Sequence, residues 1–331
     1  MNDITAFVDG SNIYGSDGER TEKLRTHVDG LMKTHENFNE TNLPTRQQCG
    51  FLTPRGGPQQ KDELVAGDAR VIGQPTLAAI STLFLAEHNR IATKLKKELE
   101  KRNFLHSDEL IFQETRKIIG ALLQKIAYKD YLPIILGRSA MSANNLDFSG
   151  ETEYDPNVDP SILNEFSTVA YRFGHSQIAN SFLGKHEWPL ENHFSLRDPP
   201  DRFIVGNGGK NWMDEMTGAS TQKCPKTDLI IGDAVRKFLG GRKSSGGKEE
   251  DLPARNIQRA REHGIPAYGV LREICDLEPL EGNKKPAEIK QETWDKLLKT
   301  YQGDSSDIDA FVGGLAEDAP EDGVVGPPYT L

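Results

Sequence analysis

Cysteine is scarce in this sequence, with three residues among 331. Cys49, Cys224 and Cys275 are far apart and form no CxxC pair. This spacing argues against a zinc ribbon or a thioredoxin-type redox site. A small, odd number of cysteines also argues against a dense disulfide scaffold.

Long apolar runs and an excess of positive charge are missing as well. No segment approaches the roughly 18 apolar residues that a membrane-spanning helix needs, so we expect no membrane span. The first ten residues, MNDITAFVDG, contain neither the basic nor the apolar region of a signal peptide, so we expect no secretory signal in this chain. The net charge of -10 opposes nucleic-acid binding, and we expect none.

The composition that remains is typical of a globular protein, with 36% hydrophobic and 27% charged residues. Alternating strand patterns are scarce, whereas apolar residues recur at helical spacing in several places. The fold class we predict is mostly α, with long ordered loops and little strand. Helices are predicted from Pro75 to Leu99, from a cap at Ser107 to a stop or kink at Pro133, from Asp159-Pro160 to about residue 175, over 251–275 with an interruption at 264–266, and over 285–301 and 306–316. Residues 3–14 are predicted to be extended chain leading into a turn, and 30–66 and 179–250 to be irregular.

The stretch 169-VAYRFGHSQI-178 contains the most informative histidine. On a helix that begins at Asp159, His175 lies opposite an apolar stripe that ends at Phe173. A neutral imidazole in that position can bind a transition metal through one nitrogen while the other is fixed by a hydrogen bond. Arg172, one turn earlier, could pair with a carboxylate of a cofactor, and Gly174 would let a bulky planar group come close. From the residues alone, a surface or structural histidine remains an alternative to a ligand.

Four stretches stand out in order along the chain: 5-TAFVDGSNIYGS-16, 67-GDARVIGQPTL-77 running into 83-LFLAEHNRIA-92, 170-AYRFGHSQI-178 and 256-NIQRAREHGIPAY-268. Together they resemble the animal haem peroxidases of the myeloperoxidase and peroxinectin type. The resemblance covers essentially the whole chain and implies one haem peroxidase domain over residues 1–331.

The resemblance implies a role for each residue of a haem site. His175 matches the proximal iron ligand, and Asn256 matches the residue whose side-chain oxygen accepts a hydrogen bond from that imidazole. Arg172 and Arg259 match the residues that hold the haem propionates. Arg70 matches a distal catalytic arginine, whose charge stabilises the oxygen that departs when the O–O bond breaks.

The first stretch resembles the calcium loop of the family. Thr5, Phe7, Asp9 and Ser11 alternate along the chain, so an extended backbone can direct them to one side. Hydroxyls, a carboxylate and the Phe7 carbonyl are the hard oxygen ligands that calcium prefers. Taken as an isolated pattern, the same residues are also typical of a plain turn. Two histidines of the matching stretches, His88 and His263, are predicted to be structural.

The chain also departs from the family pattern. In the family the distal histidine precedes the calcium loop, and this chain begins within a few residues of that loop and ends just after Pro327. The resemblance therefore implies a domain truncated at both ends, and we expect this fragment alone to bind haem weakly and to turn over poorly. Gly73 stands where mammalian members carry a glutamate that esterifies the haem, so a non-covalent haem b is expected.

The function implied is that of a haem peroxidase, which oxidises an organic donor or a halide with hydrogen peroxide. The expected partners are therefore hydrogen peroxide and a small-molecule donor. One alternative is a catalytically impaired domain with a role in adhesion or partner binding. Another is a haem fatty-acid dioxygenase, although Arg172 occupies the place where such relatives carry a tyrosine. The family is largely secreted, so the resemblance implies an extracellular protein that acts in the response to oxidative stress.

Overall fold

The computed structural model of the chain describes residues 4–35, 42–51, 63–73, 75–146, 154–182, 188–189, 211–239 and 250–330. The chain forms two compact units. The first comprises Met1–Lys125, Ser181–Gln222 and Gly241–Gly247, and the second comprises Ile126–Asn180, Lys223–Gly240 and Lys248–Leu331. The single domain expected over residues 1–331 stays a prediction.

Regular structure in the described residues is mostly helical, which confirms the predicted class. The strands form one short antiparallel pair, β1 (Ser181–Phe182) and β2 (Trp188–Pro189). The helices are α1 (Ser11–Tyr14), α2 (Gly18–Leu24), α3 (Pro75–Lys101), α4 (Asp108–Lys125), α5 (Leu132–Leu136), α6 (Arg138–Ala143), α7 (Asn164–Thr168), α8 (Asn211–Thr221), α9 (Asp233–Arg236), α10 (Leu252–Glu262), α11 (Tyr268–Ile274), α12 (Gln291–Thr300) and α13 (Ala310–Ala316). Shorter 3-10 turns cover Val71–Gly73, Ala170–His175, Ser305–Asp307 and Pro327–Tyr329, and a π-helical turn covers Ile126–Tyr131.

The long helix α3 is present as predicted, but it buries a different face. Leu77, Ile80 and Leu83 recur at the helical spacing that predicts this helix, yet they are 47%, 37% and 38% exposed. The residues that are fully buried are mostly small, including Ala78 and Ala79. Small side chains let α4 and α8 pack closely against α3. The buried face of α3 is therefore the face with small residues, and the face with the largest apolar side chains is partly exposed.

Helix α4 begins as the sequence predicted. The backbone N–H of Leu110 donates to the Ser107 hydroxyl at 3.1 Å, which satisfies one of the unpaired donors of the first turn. The helix ends at Lys125, where the chain passes into the π-helical turn, so the change of geometry precedes Pro133. Pro133 lies in the first turn of α5, where a missing N–H costs nothing.

Two helices lie where the sequence predicted irregular structure. Helix α8 and the single turn α9 fall within residues 179–250, and the prediction for those segments is wrong. Glycine, threonine and asparagine give α8 a low intrinsic helix propensity, and its packing against α3 compensates. The one-turn helix α1 replaces the turn predicted near residue 14, whereas the described parts of 30–66 are irregular as predicted.

The second unit has its core around helix α13. The interruption predicted within 251–275 is confirmed, since it separates α10 from α11. Helices α12 and α13 begin later than predicted, and part of the difference is the 3-10 turn that Asp304 caps by accepting from the backbone N–H of Ser306 at 2.8 Å. A Cβ on Gly313 of α13 would lie 2.1 Å from the Tyr268 ring, so glycine lets α11 and α13 pack closely.

His88 of α3 has the structural role that the sequence predicted. Its side chain is fully buried. Nε2 lies 2.8 Å from the Gly30 carbonyl oxygen and therefore donates, and Nδ1 accepts from the Tyr14 hydroxyl at 2.7 Å. Burial lowers the pKa of His88 to about 4, so the ring joins α1 and the loop at Gly30 to α3 as a neutral group.

This burial predicts a pH dependence of stability. Between pH 6.5 and about 4 the unfolded state binds a proton at His88 that the folded state does not bind. The contribution is therefore fully present above pH 6.5 and is lost as the pH falls towards 4, with a size on the order of 3 kcal/mol. Urea denaturation across this range gives the slope of the unfolding free energy against pH, which measures how many protons are taken up on unfolding. In His88→Gln this number should be smaller by about one. An unchanged slope in His88→Gln would contradict the assignment.

None of the helices within the described residues is both long and apolar enough to cross a membrane.

Candidate functional site

The segment before His175 contains a shorter α-helix than the sequence predicted. Asp159 does not cap a helix. Its carboxylate accepts from the backbone N–H of Ser161 at 2.9 Å in a local turn. Helix α7 begins only at Asn164, so Ile162 lies outside it. Helical spacing would place Ile162 and Phe166 on the same apolar stripe as Phe173, but they are 40% and 42% exposed.

His175 is the last residue of a 3-10 turn, and this geometry determines its neighbours. Val169 ends α7, and the chain then tightens into the 3-10 turn Ala170–His175. Because such a turn has three residues per turn, Arg172 and His175 lie on the same side of it. Phe173 is buried in the core of the second unit and anchors the turn, which leaves His175 half-buried.

Helix α10 places Asn256 against this turn. The helix is capped by Asp251, whose carboxylate accepts from the backbone N–H of Ala254 at 2.9 Å. Asn256 is fully buried. Its Nδ2 lies 2.8 Å from Nδ1 of His175, and its Oδ1 lies 3.0 Å from Nη1 of Arg172. These three residues, which we call the His175 triad, form one hydrogen-bonded chain.

The amide of Asn256 is oriented opposite to the expectation from the resemblance. The expected arrangement had its oxygen accept from the imidazole. In the structure the oxygen faces Arg172, whose guanidinium can only donate hydrogen bonds. Nδ2 therefore faces His175 and donates to Nδ1, which leaves the ring proton of the neutral imidazole on Nε2.

The surroundings of the His175 triad favour an anionic group. Burial, together with the charge of Arg172, lowers the pKa of His175 to about 4. Burial and the nearby charge of Arg259 lower the pKa of Arg172. Arg259 has a long contact of 3.3 Å with Glu262, and Arg172 forms no ion pair within the described residues. Two guanidinium groups whose charges have so few acidic partners nearby are suited to bind carboxylates.

Among the residues that the structure describes, none fills the space beside the histidine. A Cβ built on Gly174 would have no atom within 4 Å, and Nε2 of His175 has no hydrogen-bond partner among the residues that the structure describes. An imidazole with one nitrogen fixed and the other accessible, beside two arginines, has the chemistry that an iron porphyrin with carboxylate side chains requires. The residues present therefore fit a haem.

Arg70 lies in the first unit, on a segment anchored to α1. The backbone N–H groups of Gly67 and Asp68 donate to the carbonyls of Ile13 and Asn12 at 3.0 and 3.1 Å. Arg70 pairs with Asp68 through two contacts, Nη2 to Oδ2 at 2.6 Å and Nε to Oδ1 at 3.0 Å. This pairing raises the pKa of Arg70 and lowers that of Asp68. The Arg70 side chain is 72% exposed, and no pattern in the sequence indicated that Asp68 would hold it.

The four residues of the predicted calcium loop form local turns. The Thr5 hydroxyl accepts from the backbone N–H of Phe7 at 3.1 Å, and the Asp9 carboxylate accepts from that of Ser11 at 3.0 Å. Within the described part of the chain, no group of three or more His, Cys, Asp or Glu residues is arranged to hold a metal ion. Asp9 supplies one carboxylate, which is a small part of the six to eight oxygens that calcium takes.

The remaining predicted residues have structural contacts. One ring nitrogen of His263, Nδ1, lies 2.9 Å from Oδ1 of Asn164, so His263 joins α7 to the end of α10. All three cysteines are free thiols: Cys49 is buried, Cys224 is exposed and Cys275 is half-buried.

Comparisons with known proteins identify the family of the chain. A model of the animal haem peroxidase family matches residues 1–331. Peroxidasin homolog pxn-1 of Caenorhabditis elegans is 35% identical over 345 residues, which cover 99% of this chain and 26% of that protein. The chain thus spans about a quarter of the length of this curated relative.

Solved structures extend the likeness to the fold. Peroxidase A from Dictyostelium discoideum matches with a TM-score of 0.77 and 30% identity, over 98% of this chain and 60% of that one. A fatty acid alpha-dioxygenase from Oryza sativa matches with a TM-score of 0.74 and 19% identity, over 98% and 56%, which shows a shared fold alone. The chain therefore belongs to the animal haem peroxidase family.

Proposed function

We propose that this chain is the haem-binding part of a peroxidase, with His175 as the axial ligand of the iron. The single observation that carries the proposal is the His175 triad, in which a half-buried imidazole is fixed on one side and accessible on the other. Asn256 would orient the imidazole, and Arg172 and Arg259 would hold the two carboxylates of the haem. Bound haem would supply the redox chemistry by which hydrogen peroxide oxidises an organic donor or a halide.

Arg70 would act on the substrate side of that reaction. Its pairing with Asp68 through two contacts fixes the guanidinium plane. A fixed cation stabilises negative charge as it develops on a departing oxygen. We therefore assign Arg70 to the O–O cleavage step, in agreement with the role that the family resemblance implies.

The test is peroxide-dependent oxidation of a phenolic donor by the haem-loaded chain. We expect a rate above that of an equal concentration of free haem. We also expect His175→Ala to fall to the rate of free haem, whereas His263→Ala keeps the wild-type rate. Equal rates for the wild type, His175→Ala and free haem would overturn the proposal. If haem binds through His175 without any such oxidation, the non-catalytic alternative of a partner-binding domain is favoured instead.

Fatty-acid dioxygenation has no specific support from the site. The residue three positions before His175 is Arg172, which is hydrogen-bonded to Asn256. The nearest tyrosine in sequence, Tyr171, stacks on Phe166 with 5.1 Å between the ring centroids. A tyrosyl radical mechanism needs a ring aimed at the substrate, and this ring packs on a neighbouring side chain.

We further propose that the haem is bound non-covalently, because Gly73 offers no carboxylate for an ester. Extraction with acidified acetone should remove all the haem, and haem that stays with the denatured protein would contradict this.

The calcium loop also remains a proposal, supported by the alternating oxygens of Thr5, Asp9 and Ser11. Calorimetric titration should detect calcium binding that Asp9→Ala abolishes, and identical isotherms would overturn it. An extracellular location and a role in oxidative stress are proposed from the family resemblance.

A further inference from the structure

The hydrogen bonds within the His175 triad conflict with the binding of iron by His175. Arg172 can only donate, so Oδ1 of Asn256 must face it, and Nδ2 must face His175. Nδ1 of His175 then accepts, and the ring proton lies on Nε2. An imidazole binds a metal through a nitrogen lone pair, and the accessible Nε2 has none in this tautomer. As long as Arg172 bonds Asn256, His175 is therefore in the form that cannot bind iron through Nε2.

Arg172 is poised to leave that position when an anion arrives. Its partners are two neutral oxygens, Oδ1 of Asn256 and the Ser167 carbonyl at 3.1 Å from Nε. A carboxylate is a stronger partner for a guanidinium than a neutral amide oxygen. The bond to Ser167 retains the side chain near the turn, so a small movement of Nη1 is enough to exchange one acceptor for the other.

When the Arg172 guanidinium leaves Asn256, the buried Oδ1 of Asn256 has no hydrogen-bond donor. Asn256 is fully buried, and an unpaired buried acceptor is unfavourable. The only other group of the triad that can supply a donor is Nδ1 of His175, once it carries the ring proton. Turning the amide by half a rotation brings Oδ1 to Nδ1–H. The ring loses its proton from Nε2 to water and gains one from water at Nδ1, so its charge does not change.

We propose that Arg172 is a positioning residue that couples the capture of an anionic group to the tautomer of His175. While Arg172 bonds Asn256, His175 carries its proton on Nε2 and does not bind metal. When the Arg172 guanidinium pairs with a carboxylate of the haem instead, the Asn256 amide turns. Nε2 of His175 then carries no proton, and its lone pair is free to bind the iron. This inference rests on the proposed function, because it takes the haem as the source of the carboxylate. It goes beyond an anchoring role, in which Arg172 would hold a carboxylate and have no effect on the ring.

The tautomer can be measured without any haem. Long-range proton–nitrogen NMR of histidine-labelled protein distinguishes Nε2–H from Nδ1–H, and His175→Ala identifies the signal among eight histidines. We expect Nε2–H in the wild type and in Arg172→Lys, which keeps a donor towards Oδ1. Arg172→Met should shift His175 to Nδ1–H, whereas Arg259→Met, which removes a neighbouring charge, should not. Nδ1–H in the wild type, or no change in Arg172→Met, would overturn the proposal.

A second arm uses haem and its dimethyl ester, which has no charged carboxylates. Axial ligation is followed by the Soret band and by the iron–histidine stretch of the ferrous protein in resonance Raman spectra. The wild type should bind the ester poorly, and Arg172→Met should bind it about tenfold more tightly than the wild type does, because its His175 is already in the competent tautomer. An anchoring role alone predicts no gain for the ester, and that result would overturn the coupling. If neither form of haem binds to any variant, the proposed function fails, and the NMR result still decides whether Arg172 sets the tautomer.

Discussion

Replacement of Arg272 by methionine is expected to destabilise the second unit by about 3–5 kcal/mol. Arg272 of α11 is 1% exposed, and its Nη1 lies 2.5 Å from Oε1 of Glu317 and 3.2 Å from Oε2 of Glu288. The Glu317 side chain has no exposure, and it also accepts from the Tyr268 hydroxyl. Methionine fills much of the same volume but leaves the buried carboxylate without its counter-charge.

The expected loss depends on pH in a defined direction. Burial raises the pKa of Glu317 from 4.5 to about 7. A carboxyl whose folded pKa is raised contributes stability below its unfolded pKa and loses it as the pH rises through the folded pKa. A protonated Glu317 needs no counter-charge, so the penalty of Arg272→Met should be smaller at pH 5 than at pH 8.

Chemical denaturation at the two pH values measures this effect. The matched variant Arg272→Lys keeps a charge in place and should lose less stability. The double variant Arg272→Met/Glu317→Gln should recover part of the loss, because it removes the unpaired charge. A loss below about 1 kcal/mol for Arg272→Met at pH 8 would contradict the account, as would a greater loss at pH 5.

Replacement of Gly67 by alanine is expected to cost about 3 kcal/mol or more through overpacking. A Cβ at this position would lie 2.2 Å from the carbonyl oxygen of Ser11 and 2.4 Å from the backbone nitrogen of Gly15. Both are backbone atoms, which cannot rotate away as a side chain can. The variant should therefore separate the segment that carries Arg70 from α1 and break the bond from the Gly67 N–H to the Ile13 carbonyl.

Thermal denaturation and limited proteolysis would measure this separation. Residues 63–73 should become a site of rapid cleavage in Gly67→Ala and remain resistant in the wild type. The control is Gly73→Ala, in the same stretch, because a Cβ there has no atom within 4 Å and should change stability by no more than about 0.5 kcal/mol. Equal stability of the two variants would show that the segment is not held by close backbone packing.

The sequence predicted the long helices well because their signals are local. The cap at Ser107 and the break near Gly264 depend on a few consecutive residues. Asp159-Pro160 is an equally good local signal, yet no helix begins there, and α7 starts at Asn164. Helix α8 has weak local signals and exists through its packing on α3. These errors arise where tertiary contacts outweigh the intrinsic preferences of the segment.

The contacts of the His175 triad were predicted in part, from helical spacing and from the family resemblance. Periodicity could place Arg172 beside His175, although through a helix that is really a 3-10 turn. The contact with Asn256 joins residues that are 81 positions apart, and the bond from Arg172 to Asn256 spans 84. No local pattern predicts which way a buried amide turns, because its orientation follows from the donors around it.

The central claim, that His175 is the ligand of a haem iron, is tested most directly by an absorption titration of the purified chain with haem. The wild type, His175→Ala and His263→Ala should be titrated side by side. The account predicts a saturable Soret band for the wild type and for His263→Ala, and its loss in His175→Ala. Equal binding by the wild type and His175→Ala would contradict the account, since the histidine of the triad would then have no part in holding the iron.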